Sequence, residues 1–206
     1  MEFTKNLNSL AVATLACASL GSATAIQSEE YEKGIYVNLG IGSGSYSDVV
    51  WSDGATDTYE FGFGFETGIG YDFGKNFRTE ITYSNLLSEN DQVGKNFIFQ
   101  SLVFNGFIDF PLGDSRYTPF VGLGLGYTHA DAKDLCVVGT STDCFDDVAT
   151  FSLSGGLAYA INDSTELTAK ATYLGFDDIN MKNHGQNFTV SESDTLTFLL
   201  GARVTF

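Results

Sequence analysis

Two histidines, His129 and His184, are the side chains of this sequence best suited to proton transfer near neutral pH. A hydrolytic site would set such a ring beside a nucleophile or a carboxylate. Asp131 closely follows His129, but no serine stands at a spacing that would bring it beside the ring on one strand face, and His184 lies in a polar stretch. Both histidines are interpreted as solvated loop residues, so the sequence predicts that the protein is not an enzyme.

Glycine-rich runs at residues 62–64 and 122–126 could be taken for phosphate-binding loops, but each lies inside an alternating pattern and no helix follows it. We therefore expect no cofactor. The acidic residues of the predicted loops do not follow a calcium-loop spacing, so no metal site is expected either. Two interpretations stay open for them, solvation and loose bridging by divalent cations to phosphate groups; the residues are Asp48, Asp53, Asp57, Asp131, Asp134, Asp143, Asp146, Asp147, Asp177 and Asp178.

The amino terminus has the three parts of an export signal. Lys5 supplies a positive charge, residues 10–20 are mostly apolar, and Ala23 and Ala25 are small residues at the two positions that a signal peptidase reads. Cleavage after Ala25 would divide the chain into a signal peptide at 1–25 and a mature domain at 26–206. A buried amino-terminal helix is the alternative.

Three cysteines occur in the chain, and Cys17 would leave with the signal peptide. Cys136 and Cys144 would then remain as an even pair in an oxidising compartment, where disulfides form and persist. The sequence therefore predicts a disulfide between Cys136 and Cys144.

The charge balance excludes one class of partner. Of 206 residues, 26 are Asp or Glu and 10 are Lys or Arg, for a net charge of −16. Without a basic patch, such a chain would be repelled by nucleic acid phosphates. The chain is also 43% hydrophobic, yet beyond residue 25 it lacks the roughly 18 consecutive apolar residues of a membrane helix. Its apolar residues must be spread over short segments.

From Gly34 onward, apolar residues recur at every second position in eight segments separated by turn-rich breaks, which predicts β-strands. Within residues 59–73, aromatic and aliphatic residues alternate with glycine and carboxylates. The breaks at 74–76, 111–116 and 162–164 are short, whereas those near 46–57, 88–96, 129–147 and 177–193 are longer. This alternation predicts an all-β, up-and-down antiparallel barrel with its long loops at one end.

The two faces of the strands indicate where the barrel sits. A soluble barrel turns its apolar face inward, whereas a membrane barrel turns it toward lipid. Eight strands leave too little room inside for rows of Phe and Tyr, and the glycine-rich opposite face suits a narrow lumen. The pattern therefore favours an eight-stranded transmembrane barrel, with a soluble lipocalin-like barrel that binds a small apolar ligand as the alternative.

Three stretches resemble a known family: Gly34–Gly44 (GIYVNLGIGSG), Arg116–Tyr127 (RYTPFVGLGLGY) and Leu200–Phe206 (LGARVTF). The chain is similar to the small outer-membrane β-barrel proteins of Gram-negative bacteria, of the surface-antigen and opacity-protein type, which are related to the transmembrane domain of outer membrane protein A. The resemblance implies short periplasmic turns, long extracellular loops and a place in the outer membrane. Because the chain ends at Phe206, we expect no periplasmic cell-wall-binding domain.

The resemblance also implies partners. Outer-membrane lipid and lipopolysaccharide would surround the barrel, an extracellular ligand or surface would meet the loops, and we expect a monomer. The barrel-assembly machinery would read the final strand, whose signal residues would be Leu196, Phe198, Leu200, Val204 and Phe206.

Two functions remain open: a structural or surface-interaction role through the extracellular loops, and a small porin for ions or small solutes. We favour the first because the interior of eight strands is just wide enough for side chains to fill. Charges of both signs would crowd the lumen near the short turns and form a network that blocks water; they are Asp72, Arg78, Glu80, Glu166, Lys170 and Arg203. Above them, glycines would line a water-filled pocket that opens toward the loops.

Overall fold

The computed structural model describes residues 33–46, 49–50, 56–57, 62–90, 95–131, 145–177, 179–183, 186–190 and 194–206. The predicted signal peptide, Cys136, Cys144 and His184 lie outside these residues. The strands, in chain order, are β1 (Gly34–Tyr46), β2 (Val49–Val50), β3 (Thr56–Asp57), β4 (Gly62–Asp72), β5 (Phe77–Asn90), β6 (Lys95–Asp109), β7 (Tyr117–Asp131), β8 (Phe145–Asn162), β9 (Thr165–Phe176), β10 (Ile179–Asn183), β11 (Gln186–Val190) and β12 (Asp194–Thr205).

Eight of these strands close into one antiparallel barrel, in the order β1, β12, β9, β8, β7, β6, β5, β4, and β4 pairs with β1 again. The closing pair β1–β12 sets Gly40 opposite Gly201. Closure leaves no free sheet edge, so backbone groups are paired around the whole barrel. The predicted eight-stranded meander is confirmed. Strands β2 with β3, and β10 with β11, form two small sheets in the long connections. The described residues include no helix that could cross a membrane.

The outer face of the barrel is apolar and the inner face carries the charges. Ile41, Leu125 and Leu200 are 62%, 73% and 69% exposed, whereas the inward-facing Arg78 and Glu80 are 3% and 2% exposed. An exterior this apolar over a whole barrel is unfavourable in water and favourable in the hydrocarbon core of a membrane. This arrangement excludes the soluble lipocalin-like alternative and confirms that the aromatic and aliphatic face points outward.

The short turn that joins β4 to β5 has a left-handed backbone. Gly74, Lys75 and Asn76 all have positive φ, at 69°, 53° and 67°. The Asp72 carboxylate accepts a hydrogen bond from the Gly74 N–H at 2.7 Å, and the Phe77 N–H donates to the Gly74 carbonyl at 3.2 Å. Glycine and asparagine tolerate this left-handed backbone better than most residues, which explains why the chain can reverse over so few residues here.

Two hairpins continue farther at the long-loop end than the apolar alternation predicts. Strands β5 and β6 stay paired to Asn90 and Lys95, and β7 and β8 stay paired to Asp131 and Phe145. The predicted loops at 88–96 and 129–147 are therefore too long at both ends. Backbone pairing does not require an apolar face once the strands pass beyond the membrane, so polar sequence continues the ladder.

Both faces of β6 are apolar in sequence, so its register could not be derived from periodicity. In the structure Val103 and Phe107 are buried inside the barrel, whereas Leu102, Phe104 and Ile108 are exposed outside it. This register also turns Asp109 inward. The partner strands decide it, because Phe107 is set opposite Gly122 of β7, which leaves room for an aromatic ring.

Candidate functional site

The half of the lumen near the short turns holds a layer of ionisable side chains contributed by five strands. All six residues predicted from the sequence lie on the inner face. Glu66 and Asp109, which the prediction omitted, belong to the same cluster. We call the whole set the charged layer; its members are Glu66, Asp72, Arg78, Glu80, Asp109, Glu166, Lys170 and Arg203.

Arg78 is the most extensively contacted member of the charged layer. Its Nε donates to both carboxylate oxygens of Asp109, at 3.0 and 3.2 Å, and its Nη1 lies 3.0 Å from the Tyr36 hydroxyl. Nη1 is also 3.7 Å from Glu80 Oε2. The guanidinium carbon stands 4.0 Å from the centroid of the Phe107 ring, a cation–π distance. One buried cation therefore joins β1, β5 and β6.

Two further ion pairs complete the layer. Arg203 Nε donates to Glu166 Oε2 at 2.5 Å, between residues set opposite one another on β12 and β9. Lys170 Nζ donates to Glu66 Oε1 at 2.5 Å, and Asn38 Nδ2 donates to the same oxygen at 2.8 Å. Because β12 and β1 stand between β9 and β4 in the barrel, the Lys170–Glu66 pair bridges the inside of the lumen.

Asp72 takes a different place from the other five predicted residues. Its carboxylate accepts a hydrogen bond from the Gly74 backbone N–H in the β4–β5 turn, so it lies at the short-turn end of the lumen. Glu66 could have been found from the sequence, because it alternates in step with the glycines of β4. Asp109 could not, because the register of β6 was open.

Hydroxyl and amide groups form a second layer above the charges. Asn105 donates to Thr82 at 2.8 Å and accepts from Ser152 at 2.6 Å. Higher in the barrel, Thr128 is hydrogen-bonded to Ser101 and to Thr150, each at 2.7 Å. Most of these bonds join neighbouring strands, and the Asn105–Ser152 bond spans β7. Among the described residues, Asn85 Oδ1 and Thr195 Oγ1 are buried without a hydrogen-bond partner, whereas most buried polar groups in proteins have one.

The long-loop half of the lumen differs from the glycine-lined, water-filled pocket expected from the sequence. Four apolar side chains fill it, and we call them the collar; they are Leu86, Phe99, Leu174 and Leu199. Phe176 stacks on Phe99, with ring centroids 5.9 Å apart. The space beside Gly64 is occupied by side chains from other strands. A methyl group built on Gly64 would already contact Leu86 and Leu199, at 3.7 and 3.8 Å.

Little free volume remains inside the barrel. One cavity of about 20 Å³ lies in the charged layer and another of about 20 Å³ lies at the collar. A cavity of this size has room for about one water molecule. Side chains therefore leave room for about one water molecule at each of these two levels of the lumen.

His129 lies on the outer face, where β7 emerges at the long-loop end. Its Nδ1 is 2.8 Å from Asp147 Oδ1, and the register sets Gln100 at its other side. Neither neighbour is a nucleophile of the kind that a hydrolytic site needs. Within the described part of the chain, no group of three or more His, Cys, Asp or Glu side chains could hold a metal ion.

The residues predicted as the assembly signal all belong to the outward-facing set of the last strand or follow it. Phe198, Leu200 and Phe206 are exposed on the apolar exterior. The Phe206 N–H donates to the Ile35 carbonyl of β1 at 2.9 Å, so the carboxyl terminus lies at the barrel seam. Recognition by an assembly machinery stays a prediction.

Comparison with known proteins agrees with this architecture. Neisserial surface protein A has a TM-score of 0.64 and 21% identity, over 85% of this chain and 99% of that one. OprG of Pseudomonas aeruginosa has a TM-score of 0.59 and 14% identity, over 88% and 100%. Ail of Yersinia pestis has a TM-score of 0.54 and 15% identity, over 85% and 99%. Identities this low show a shared fold, and no curated protein sequence matches the chain.

A family model described as "Outer membrane protein beta-barrel domain" matches residues 13–193. The match covers most of the barrel, and it agrees with the apolar exterior, the closed eight-stranded sheet and the fold of the solved outer-membrane proteins. The protein is therefore located in the bacterial outer membrane, with its short turns in the periplasm and its long loops outside the cell. The chain belongs to the outer membrane protein beta-barrel domain family.

Proposed function

We propose that this protein acts at the cell surface through its extracellular loops and hairpins, and that its barrel is a closed, non-enzymatic membrane anchor. The observation that carries the proposal is the filled lumen, in which the Lys170–Glu66 pair bridges the interior and the collar lies above it. A porin needs a continuous aqueous path. The cavities at the charged layer and at the collar have volumes of only about 20 Å³ each, which is too small for such a path at these two levels.

The extracellular rim supplies the surface for such interactions. Asp131, Asp146, Asp147 and Asp177 lie there among the described residues, and the whole chain carries a charge of −16. The structural neighbour Ail is called an attachment invasion locus protein and was crystallised with a heparin analogue, a polyanion. The acidic rim of this chain would repel a polyanion, so we propose that phosphates of lipopolysaccharide are reached through bridging divalent cations.

A planar-bilayer measurement tests the closed lumen. The refolded protein is expected to show no stable channel steps in potassium chloride, because buried ion pairs and apolar side chains leave no continuous water. Folding is checked in the same sample by resistance to SDS without boiling, which a closed barrel provides. Stable open steps from the unmodified, folded protein would assign it to the porin class instead.

A vesicle assay tests the rim separately. Retention of lipopolysaccharide by the refolded protein is expected to fall severalfold when magnesium is replaced by EDTA, because single rim carboxylates and lipopolysaccharide phosphates would share Mg²⁺ through their oxygens without a preformed metal site. Vesicles of zwitterionic phospholipid serve as the control and should show no such dependence. Equal retention in magnesium and in EDTA would refute cation bridging and leave the acidic residues as solvating groups.

A further inference from the structure

The collar has an unexpected composition for its position. The lumen of an outer-membrane barrel is ordinarily polar, yet Leu86, Phe99, Leu174 and Leu199 point into this one and are each at most 7% exposed. Val103, Ala130 and Val148 are also buried within the described barrel. Apolar side chains thus line the collar beside the short polar side chains of Asn85, Ser101, Thr172 and Thr195, whereas the charged groups are confined to the periplasmic half, where Phe107 and Phe120 are also buried.

The two halves meet at a thin boundary. Glu66 and Leu199 line both the cavity in the charged layer and the cavity at the collar. Directly on one side of this boundary lies the Lys170–Glu66 ion pair, and directly on the other lies the apolar cavity. The lumen is therefore closed twice in series, once by paired charges and once by hydrocarbon.

We propose that the collar is a hydrophobic gate, which keeps the extracellular half of the lumen dry and so blocks small cations even when the ion pairs beneath it are broken. An apolar constriction excludes water by dewetting, and an ion cannot cross where its hydration shell is lost. The proposal rests on the closed lumen inferred above and adds a second barrier, of different chemistry, at a named position.

The charged layer sets the sign of the ion that would pass. It contains five carboxylates, from Glu66, Asp72, Glu80, Asp109 and Glu166, and three basic groups, from Arg78, Lys170 and Arg203. Its formal charge is therefore −2 when every group is ionised. A confined ring of excess carboxylates favours cations over anions, so a wetted lumen should be selective for cations.

The test compares a substitution that makes the collar more polar with one that makes it wider. Its background is the paired variant Glu66→Ala with Lys170→Ala, which removes the ion pair that bridges the lumen directly beneath the collar and so leaves neither charge of that pair unpartnered. On this background Leu199→Asn is expected to raise the potassium chloride conductance at least about tenfold, because a polar side chain wets the collar. Leu199→Ala should raise it less, although alanine is smaller than asparagine.

A lipid-facing leucine on another strand gives the matched control. Leu125 of β7 is 73% exposed on the outer face, so Leu125→Ala on the same background should leave the conductance unchanged. A larger increase with Leu199→Ala than with Leu199→Asn would show that width governs passage and would overturn the gate. No increase with either Leu199 variant, in protein that resists SDS without boiling, would overturn it as well.

Further measurements distinguish a failure of the hydrophobic gate from a failure of the closed-lumen proposal on which it rests. Reversal potentials in a potassium chloride gradient should show preference for K⁺, and preference for Cl⁻ would contradict the assigned ion class. If the first background does not fold, Glu166→Ala with Arg203→Ala replaces it, because it removes a different complete pair. Open steps from the unmodified protein would refute the closed lumen, whereas silence of the Leu199→Asn variant refutes only the gate.

Discussion

Replacing Arg78 with alanine is expected to lower the free energy of unfolding of the barrel by about 3–5 kcal/mol, because removing one partner of a buried ion pair leaves the other charge buried and unpaired. The Arg78 and Asp109 side chains are each 3% exposed, and Glu80 lies 3.7 Å away on the same guanidinium. Without Arg78, the Asp109 carboxylate loses a charge-assisted contact at 3.0 Å in a place that water hardly reaches.

Urea titration of the protein folded in lipid vesicles measures this effect, with the unboiled gel band as the folded fraction. Asp109→Ala added to Arg78→Ala should recover part of the loss, because the stranded carboxylate is then absent. Lys33→Ala, at an exposed position before β1, is the control and should change stability by less than about 0.5 kcal/mol. A loss below about 1 kcal/mol for Arg78→Ala would mean that water enters the charged layer and screens it.

Replacing Gly122 with alanine should destabilise the barrel by about 1–3 kcal/mol, the usual cost of overpacking. A methyl group there would overlap the Phe107 ring of the neighbouring strand. That ring is 1% exposed and lies beneath the Arg78 guanidinium, so it cannot move aside without disturbing the charged layer. The same urea titration in vesicles measures the loss.

Gly155 provides the matched control for Gly122. It lies at a position where a methyl group would meet only the Phe120 carbonyl oxygen, at 4.0 Å, which is ordinary contact. Gly155→Ala should therefore leave the unfolding curve nearly unchanged. If the two alanine variants lost equal stability, the cost would come from glycine conformation or strand propensity, and the proposed packing of Phe107 over Gly122 would be wrong.

The alternation of apolar and polar residues predicts most of the barrel, but it defines the inward and outward faces of some strands better than those of others. In β4, the outward-facing Phe63, Phe65, Ile69 and Tyr71 alternate with glycines and carboxylates, so a one-residue slip would turn every aromatic ring into the lumen. The sequence of β6 has apolar residues on both faces, and neither register was excluded by local pattern. Its inward Phe107 and Asp109 could be assigned only after β7 offered Gly122 as the residue opposite.

In the lumen too, some features follow from local sequence and others only from the arrangement of the strands. Charges predicted to face inward do so, since side-chain direction along a strand is a local property with a period of two. Which charge meets which depends on how strands far apart in sequence are placed around the barrel: Lys170 and Glu66 are 104 residues apart. The predicted water-filled upper pocket was wrong because an inward glycine does not mean empty space, as Leu86 and Leu199 from other strands occupy it.

The sequence by itself determined that eight strands alternate in polarity, that short and long connections alternate, and that the apolar face must point to lipid. Each of these follows from local alternation and turn chemistry, which depend on neighbouring residues. Only the tertiary structure decided that the charged layer ends at Glu66 and that the collar begins above it at Leu199. Barrel closure brings β1, β4, β9 and β12 around one lumen, and no local pattern in any one strand encodes which side chains then meet inside.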